Sequence, residues 1–303
     1  MKAEVFSRLL KELNDSGVAE LTINVNETEY VRRFVSGERL ILLGGGHVAL
    51  DVYSIALLLG FRIVVVDDRP EFANSERFPE AQTVCDAFTP AIQRLSITDK
   101  DYVCILTRGH RWDQECLEAV LSGTMPYYLG MIGSKRRVAG MKDILREKSF
   151  SDEDIQKIHS PIGLSINAVT TAEIALAICA EMIQEKRKVK YQPRDNELMQ
   201  TNVDESALQY LASSDEPRAM LLVLNSTGST PVKSGSLMAV NRLCKGYGTI
   251  GGGCSEAEAV NIARRIIGTS ASKVIEIDMT NEVAADNGMV CGGRMTVYIE
   301  DVR

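Results

Sequence analysis

One stretch constrains this chain more than any other: Leu40 to Pro70, LILLGGGHVALDVYSIALLLGFRIVVVDDRP. The apolar run Leu40–Leu43 has the composition of a strand buried on both faces. Gly44, Gly46 and Ala49 then stand in a G-x-G-x-x-A arrangement, and an apolar helical pattern runs on to Leu59. Gly60 sits where a helix C-terminal glycine belongs. Ile63–Val66 is a second buried run, and Asp67 ends it 18 residues beyond Ala49. Strand, glycine turn, helix, strand and terminal acid follow one another in the order a dinucleotide-binding βαβ unit needs. Gly44 allows the tight turn, Gly46 lets backbone amides approach a phosphate, and the small Ala49 lets the helix pack close to the strand. The helix N-terminus adds free N–H groups and a partial positive charge, so Gly44, Gly45, Gly46 and His47 form the expected phosphate-binding turn.

Asp67 stands where an acid accepts from a ribose 2′-OH, which favours NAD, whereas Arg69 nearby suits a 2′-phosphate. The plainer alternative is that Asp67, Asp68 and Arg69 are a solvated corner between strand and loop. His47 has two readings as well: a first-turn residue hydrogen-bonded locally, or a polar group beside bound phosphate.

The 303 residues allow one large domain and a small one, and 45% hydrophobic with 25% charged residues describes an ordinary globular protein. A net charge of −7 with no dominant basic stripe argues against nucleic acid as the main partner. No apolar stretch approaches the roughly 18 residues of a membrane span, and the N-terminus lacks a signal-peptide layout, so a cytoplasmic protein is expected. Seven cysteines without framework spacing fit free thiols in a reducing compartment. With only His47, His110 and His159, a histidine-based metal site is disfavoured.

Along the chain, residues 1–36 read as a leader: a helix over Ala3–Asp15, then a hairpin around Asn26-Glu27, capping a sheet edge or making an oligomer contact. Residues 37–190 carry further strands at Val84–Ala87, Tyr102–Thr107 and Tyr127–Met131, giving a Rossmann-like doubly wound parallel sheet. Three loops converge at the carboxyl ends of its strands. They are GGGH at Gly44–His47, TRGH ending in Arg108, Gly109 and His110, and GMIGSKRR with Gly133 and Ser134. Each supplies glycine, cation or backbone donors suited to anions. Ser151 with Asp154 and Thr170 with Glu173 are capping boxes, the second opening an apolar helix over Ile174–Ile183 that packs across the sheet. Residues 191–216 read as a linker with one short helix. Residues 217–303 read as a small α+β domain of mostly antiparallel strands with a helix over Ser255–Ile267. Gly251, Gly252 and Gly253 deliver Cys254 to the start of that helix, where the dipole favours thiolate. Glu256 and Glu258 read as ordinary first-turn charges, Cys291 before Gly292-Gly293 has a lesser claim, and Cys244 in a hairpin turn reads as idle.

The segments GGGHVA, VVVDDRPEFANSERFPEA, TRGHRWDQECLEAVL, YYLGMIGSKRRVAGM and SPIGLSINAVTTAEIALAICAEMI resemble the Rossmann domain of the xanthine dehydrogenase accessory family, XdhC/CoxI. LNSTGSTPVKSGSLMAV, GTIGGGCSEAE and CGGRMTVYIE resemble that family's small domain, which the family usually places first and which here comes last. The resemblance implies a chaperone rather than an enzyme. It would bind the molybdenum cofactor (molybdopterin), work with a cysteine desulfurase to exchange an oxo ligand for sulfur, and hand the cofactor to a xanthine dehydrogenase-type hydroxylase. On that reading Cys254 is a candidate molybdenum-cofactor ligand, the glycine loops and Ala49 help hold the cofactor, and a homodimer is an open expectation. The competing reading is an NAD(P)-dependent oxidoreductase using the glycine turn.

Overall fold

The computed structural model describes residues 1–188, 196–198, 205–213, 215–279 and 293–303, the side chains of Cys254 and Ser255 aside. The chain forms two compact units, Gly37–Lys190 and a second made of Met1–Ser36 together with Tyr191–Arg303.

The first unit is a six-stranded parallel sheet. In chain order its elements are β3 (Arg39–Leu43), α2 (His47–Leu58), β4 (Arg62–Asp67), β5 (Gln82–Cys85), α3 (Phe88–Leu95), β6 (Tyr102–Ile105), α4 (His110–Leu121), β7 (Tyr128–Met131), α5 (Lys135–Glu147), α6 (Asp152–Gln156), β8 (Ile158–His159) and α7 (Thr171–Lys188). The strands lie in the order β5-β4-β3-β6-β7-β8, so the winding reverses between β3 and β6. That is the doubly wound order with its crevice beside β3. Alternation along each strand divides the core between the two faces. Leu40, Leu42, Ile63, Val65 and Cys104 pack under α2 and α7, while Ile41, Leu43, Val64, Val66 and Ile105 pack against α3, α4 and α5. The two capping boxes form: Ser151 accepts from the Asp154 amide at 3.1 Å and Thr170 from the Glu173 amide at 3.2 Å. The two-residue edge strand β8 carries no signal in the sequence. So short a strand has no periodicity to announce it, and its strand pairing is to β7.

The second unit contains α1 (Ala3–Ser16), β1 (Val18–Val25), β2 (Thr28–Val35), β9 (Glu197–Leu198), α8 (Glu205–Ser213), β10 (Arg218–Thr227), β11 (Leu237–Asn241), β12 (Gly246–Gly248), α9 (Gly253–Ile266), β13 (Ser272–Asp278) and β14 (Arg294–Val302). Its main sheet is antiparallel throughout, in the order β12-β11-β10-β14-β13. Central strand β10 is buried on both faces. Ala219, Leu221 and Val223 pack with α9, and Met220, Leu222 and Leu224 pack with Phe6 and Leu9 of α1, Leu21 and Ile23 of β1, and Leu208 and Leu211 of α8. The leader therefore belongs to the core on one face of the small unit's sheet rather than being a piece set apart. Part of the expected linker joins it: β9 pairs with β2, and α8 packs on α1. The chain ends meet here as well. The Ala3 amide donates to the Arg303 carbonyl at 2.6 Å, the Arg303 amide to the Met1 carbonyl at 3.0 Å, and the Met1 ammonium to the Asp301 carbonyl at 2.7 Å.

Candidate functional site

The glycine turn leaves β3 at Gly44, whose φ of +109° and close neighbours exclude a side chain: a Cβ there would lie 2.5 Å from the Leu106 carbonyl oxygen. Gly45 is equally confined, since a Cβ would fall 2.0 Å from the Phe72 carbonyl oxygen. Gly46 differs. It is the N-cap of α2, no side chain caps it, and a Cβ placed on it meets nothing within 4 Å. The first helical bond runs from the Leu50 amide to the Gly46 carbonyl, so the amides of His47, Val48 and Ala49 precede it at the positive end of the helix. His47 is the exposed first residue of α2, and Ala49 is buried against the core.

Asp67 is neither a solvated corner nor an open acceptor. It is buried, and its two oxygens receive four donors. Oδ1 accepts from the Arg69 amide at 3.1 Å and Arg69 Nε at 2.8 Å, and Oδ2 from the Gly45 amide at 2.9 Å and Arg69 Nη2 at 3.0 Å. A carboxylate offers about four lone-pair sites, so none is left for a ribose hydroxyl. Arg69 in turn stacks on Phe72 with 3.7 Å to the ring centroid. The loop after β4 thus folds back on the glycine turn.

A second bridge links the strands on either side of β3. Arg108, after β6, makes a bidentate pair with Asp68, after β4, at 2.5 and 2.8 Å, and lies 4.0 Å from the Trp112 ring centroid. The Arg108 guanidinium holds the Asp68 carboxyl below its usual range. Because β3 lies between those strands, the bridge spans its carboxyl end. Arg77 completes the cationic rim: its Nε donates to the Gly45 carbonyl at 3.1 Å, and its Nη2 is buried with no hydrogen-bond partner.

The other two loops divide. Gly109 is the N-cap of α4 without a side-chain cap, and His110 opens that helix exposed. Beneath them the fully buried Asp113 accepts from Thr107 Oγ1 at 2.5 Å and pairs with Arg137. Burial pushes the Asp113 carboxyl up, against the pull of Thr107 and Arg137. The third loop opens α5 with a capped and exposed end. Ser134 caps α5 by accepting from the Arg137 amide at 3.3 Å, and Gly133 lies against the Arg137 side chain. His159, half-buried, lies 3.4 Å from Glu181 and stacks on Tyr128, which also donates to Glu181. Burial works against the Glu181 charge, yet bonds from His159, Tyr128 and the Gly163 amide hold its carboxyl below the usual range.

In the small unit the Gly251 and Gly252 amides of the second glycine loop are already engaged. Glu256 Oε2 accepts from Thr249 Oγ1 at 2.7 Å and from the Ile250 and Gly252 amides, both at 3.0 Å. Glu256 is therefore the loop's own anchor rather than an ordinary first-turn charge, and Gly251 donates to Thr249 Oγ1. Cys254 is the second residue of α9, after Gly253. Cys291 lies outside the described residues. A shallow hollow of about 430 Å³ beside this loop is lined by Met238, Gly248, Gly253, Glu256 and the exposed Cys244. The sequence pattern gave no sign of the parts played by Asp68 and Asp113, and for Arg77 only a faint one. The aromatic neighbours Phe72 and Phe78 flanking Arg77 were the available signal.

Residues 40–182 match the family model of the XdhC Rossmann domain, and residues 211–278 match that of the XdhC and CoxI family, in that order along the chain. The chain is similar to an uncharacterized Escherichia coli protein, YqeB, at 37% identity over 49% of this chain and 27% of the other. It is similar to a Bacillus subtilis protein named as a probable xanthine dehydrogenase component at 29% identity, over 53% of this chain and 46% of that one. A crystal structure from Bacillus halodurans, named as a xanthine dehydrogenase, is 32% identical over 55% of this chain and 48% of its own, with a TM-score of 0.48. The matched stretch thus spans about a quarter to a half of the length of these relatives. Among the described residues, no helix is long and apolar enough to cross a membrane.

Proposed function

Because the chain belongs to the XdhC and CoxI family, we propose that it is an accessory factor for a xanthine dehydrogenase-type molybdenum hydroxylase, holding the molybdenum cofactor by its phosphate before transfer. The observation that carries this reading is the open approach at Gly46, where an uncapped helix N-terminus faces space that any larger residue would narrow. A phosphate fits what is there. The amides of His47, Val48 and Ala49 donate to it, and the unpartnered Arg77 Nη2 stands beside the same turn. The cofactor, when bound, supplies redox-active molybdenum for the client enzyme. The role of this chain is to bind and shield it, with Cys254 as the candidate thiol ligand. A cysteine desulfurase that sulfurates the held cofactor extends the same proposal.

The nicotinamide oxidoreductase reading is less well served, because Asp67 has no lone-pair site left for a ribose hydroxyl. Calorimetry on the full chain with purified molybdenum cofactor and with NAD separates the two. The cofactor binds and NAD does not. Gly46→Val weakens cofactor binding at least tenfold with the fold intact, and Cys254→Ser loses most of it whereas Cys244→Ser does not. Binding of NAD alone, or cofactor affinity indifferent to both Gly46→Val and Cys254→Ser, refutes the proposal.

A further inference from the structure

Helix α7 carries more apolar surface than its own core needs. Ala175, Ile178, Cys179 and Met182 are buried against the sheet and α2. On the other side Ala172, Leu176, Ala180, Ile183 and Arg187 recur at intervals of 4, 4, 3 and 4 residues, the spacing of one helix face. Leu176 is 53% exposed and Ile183 37%, and Val169, in the turn entering the helix, is 84% exposed. Leu58, at the end of α2, which packs beside α7, is likewise 84% exposed. Large apolar side chains gathered on one face of a helix layer mark a surface meant to be covered.

The arrangement of charge identifies what covers it. Glu173 stands in the first turn of α7 and Arg187 in the last, equally far from Ala180. An antiparallel second copy, with its two-fold axis beside Ala180, places Leu176 of each copy near Ile183 of the other. The same operation sets Glu173 of each against Arg187 of the other, and it opposes the two helix dipoles head to tail. The small Ala172 and Ala180 let the helices approach closely. A parallel copy would instead set like charges together. We propose that this face joins two copies of the chain through an antiparallel α7 pair.

Analytical ultracentrifugation of the full chain at about 100 μM tests the pairing. Wild type sediments with twice the mass of one chain, and Leu176→Glu sediments as a monomer with unchanged circular dichroism. Ala180→Cys, with the exposed Cys85 and Cys244 replaced by serine, forms a disulfide between the two copies of position 180 under mild oxidation, identified by mass spectrometry. A monomeric wild type, a dimer that tolerates Leu176→Glu, or the absence of that disulfide would each overturn the proposal.

Discussion

At the scale of single residues, the adjacent glycines of the first turn do different jobs, and substitution separates Gly45 from Gly46. Gly45→Ala forces a Cβ onto the Phe72 carbonyl, and the backbone must move to admit it. We expect a loss of about 1–3 kcal/mol. Gly46→Ala enters empty space at an N-cap with an extended backbone and is expected to cost under about 1 kcal/mol. Thermal unfolding of the two variants beside wild type checks the contrast, and equal losses would contradict it. The same turn explains why Asp67 misleads in one dimension. Its position at the end of β4 suits a ribose partner, but the Arg69 that follows two residues later supplies three donors of its own. A linear pattern records that both residues are present, not that they satisfy each other.

Elements are held to one another by pairs of this kind. Arg39, at the start of β3, donates to Asp101 through Nε at 2.9 Å and Nη2 at 2.5 Å, and to the Leu95 and Ser96 carbonyls at the C-terminal end of α3. Asp101 also receives the Thr98 amide at 2.7 Å. Burial works against the Asp101 charge, but the bonds from Arg39 and Thr98 prevail and hold its carboxyl below the ordinary range. Its stabilising contribution is therefore complete above the unfolded value of about 3.9 and fades as pH falls through the lower folded value. Asp101→Asn should cost about 1–3 kcal/mol at pH 7, with the gap to wild type closing toward pH 2. Urea unfolding followed at Trp112, the single tryptophan, measures it. A gap independent of pH would show the carboxylate charge to be irrelevant. Elements with a full period, such as β3, α2, β4 and α7, were legible because each apolar face is written out in the sequence. The two-residue β8 was not, and neither were the links that cross between elements. Arg108 and Asp68 stand 40 positions apart, and Asp113 and Arg137 stand 24 apart. Glu256 was legible as a residue but not as an anchor, because two of its three donors are backbone amides, which any sequence would supply.

For the whole molecule, the first 36 residues matter more than their pattern suggested. An amphipathic helix and a hairpin say that something is covered without saying what. The missing half of that statement is in β10, where the unbroken apolar run Ala219–Leu224 demands cover on both faces. Deleting residues 1–36 should therefore abolish the cooperative unfolding of the small unit and leave that of Gly37–Lys190 in place, as calorimetry of the shortened chain would report. Loss of both transitions, or of neither, would contradict the division. The hydrogen bonds that join Met1 and Ala3 to Arg303 carry a separate consequence. Since the two ends touch, a short peptide can connect them, and new ends can be opened near position 190 without breaking either core. Such a circular permutant would read small unit first and parallel sheet last while keeping its packing contacts. Its melting profile should match that of the natural chain. In that case the sequence of domains along the polypeptide is a choice of where to cut a closed loop, and evolution could reverse it without inventing a new fold.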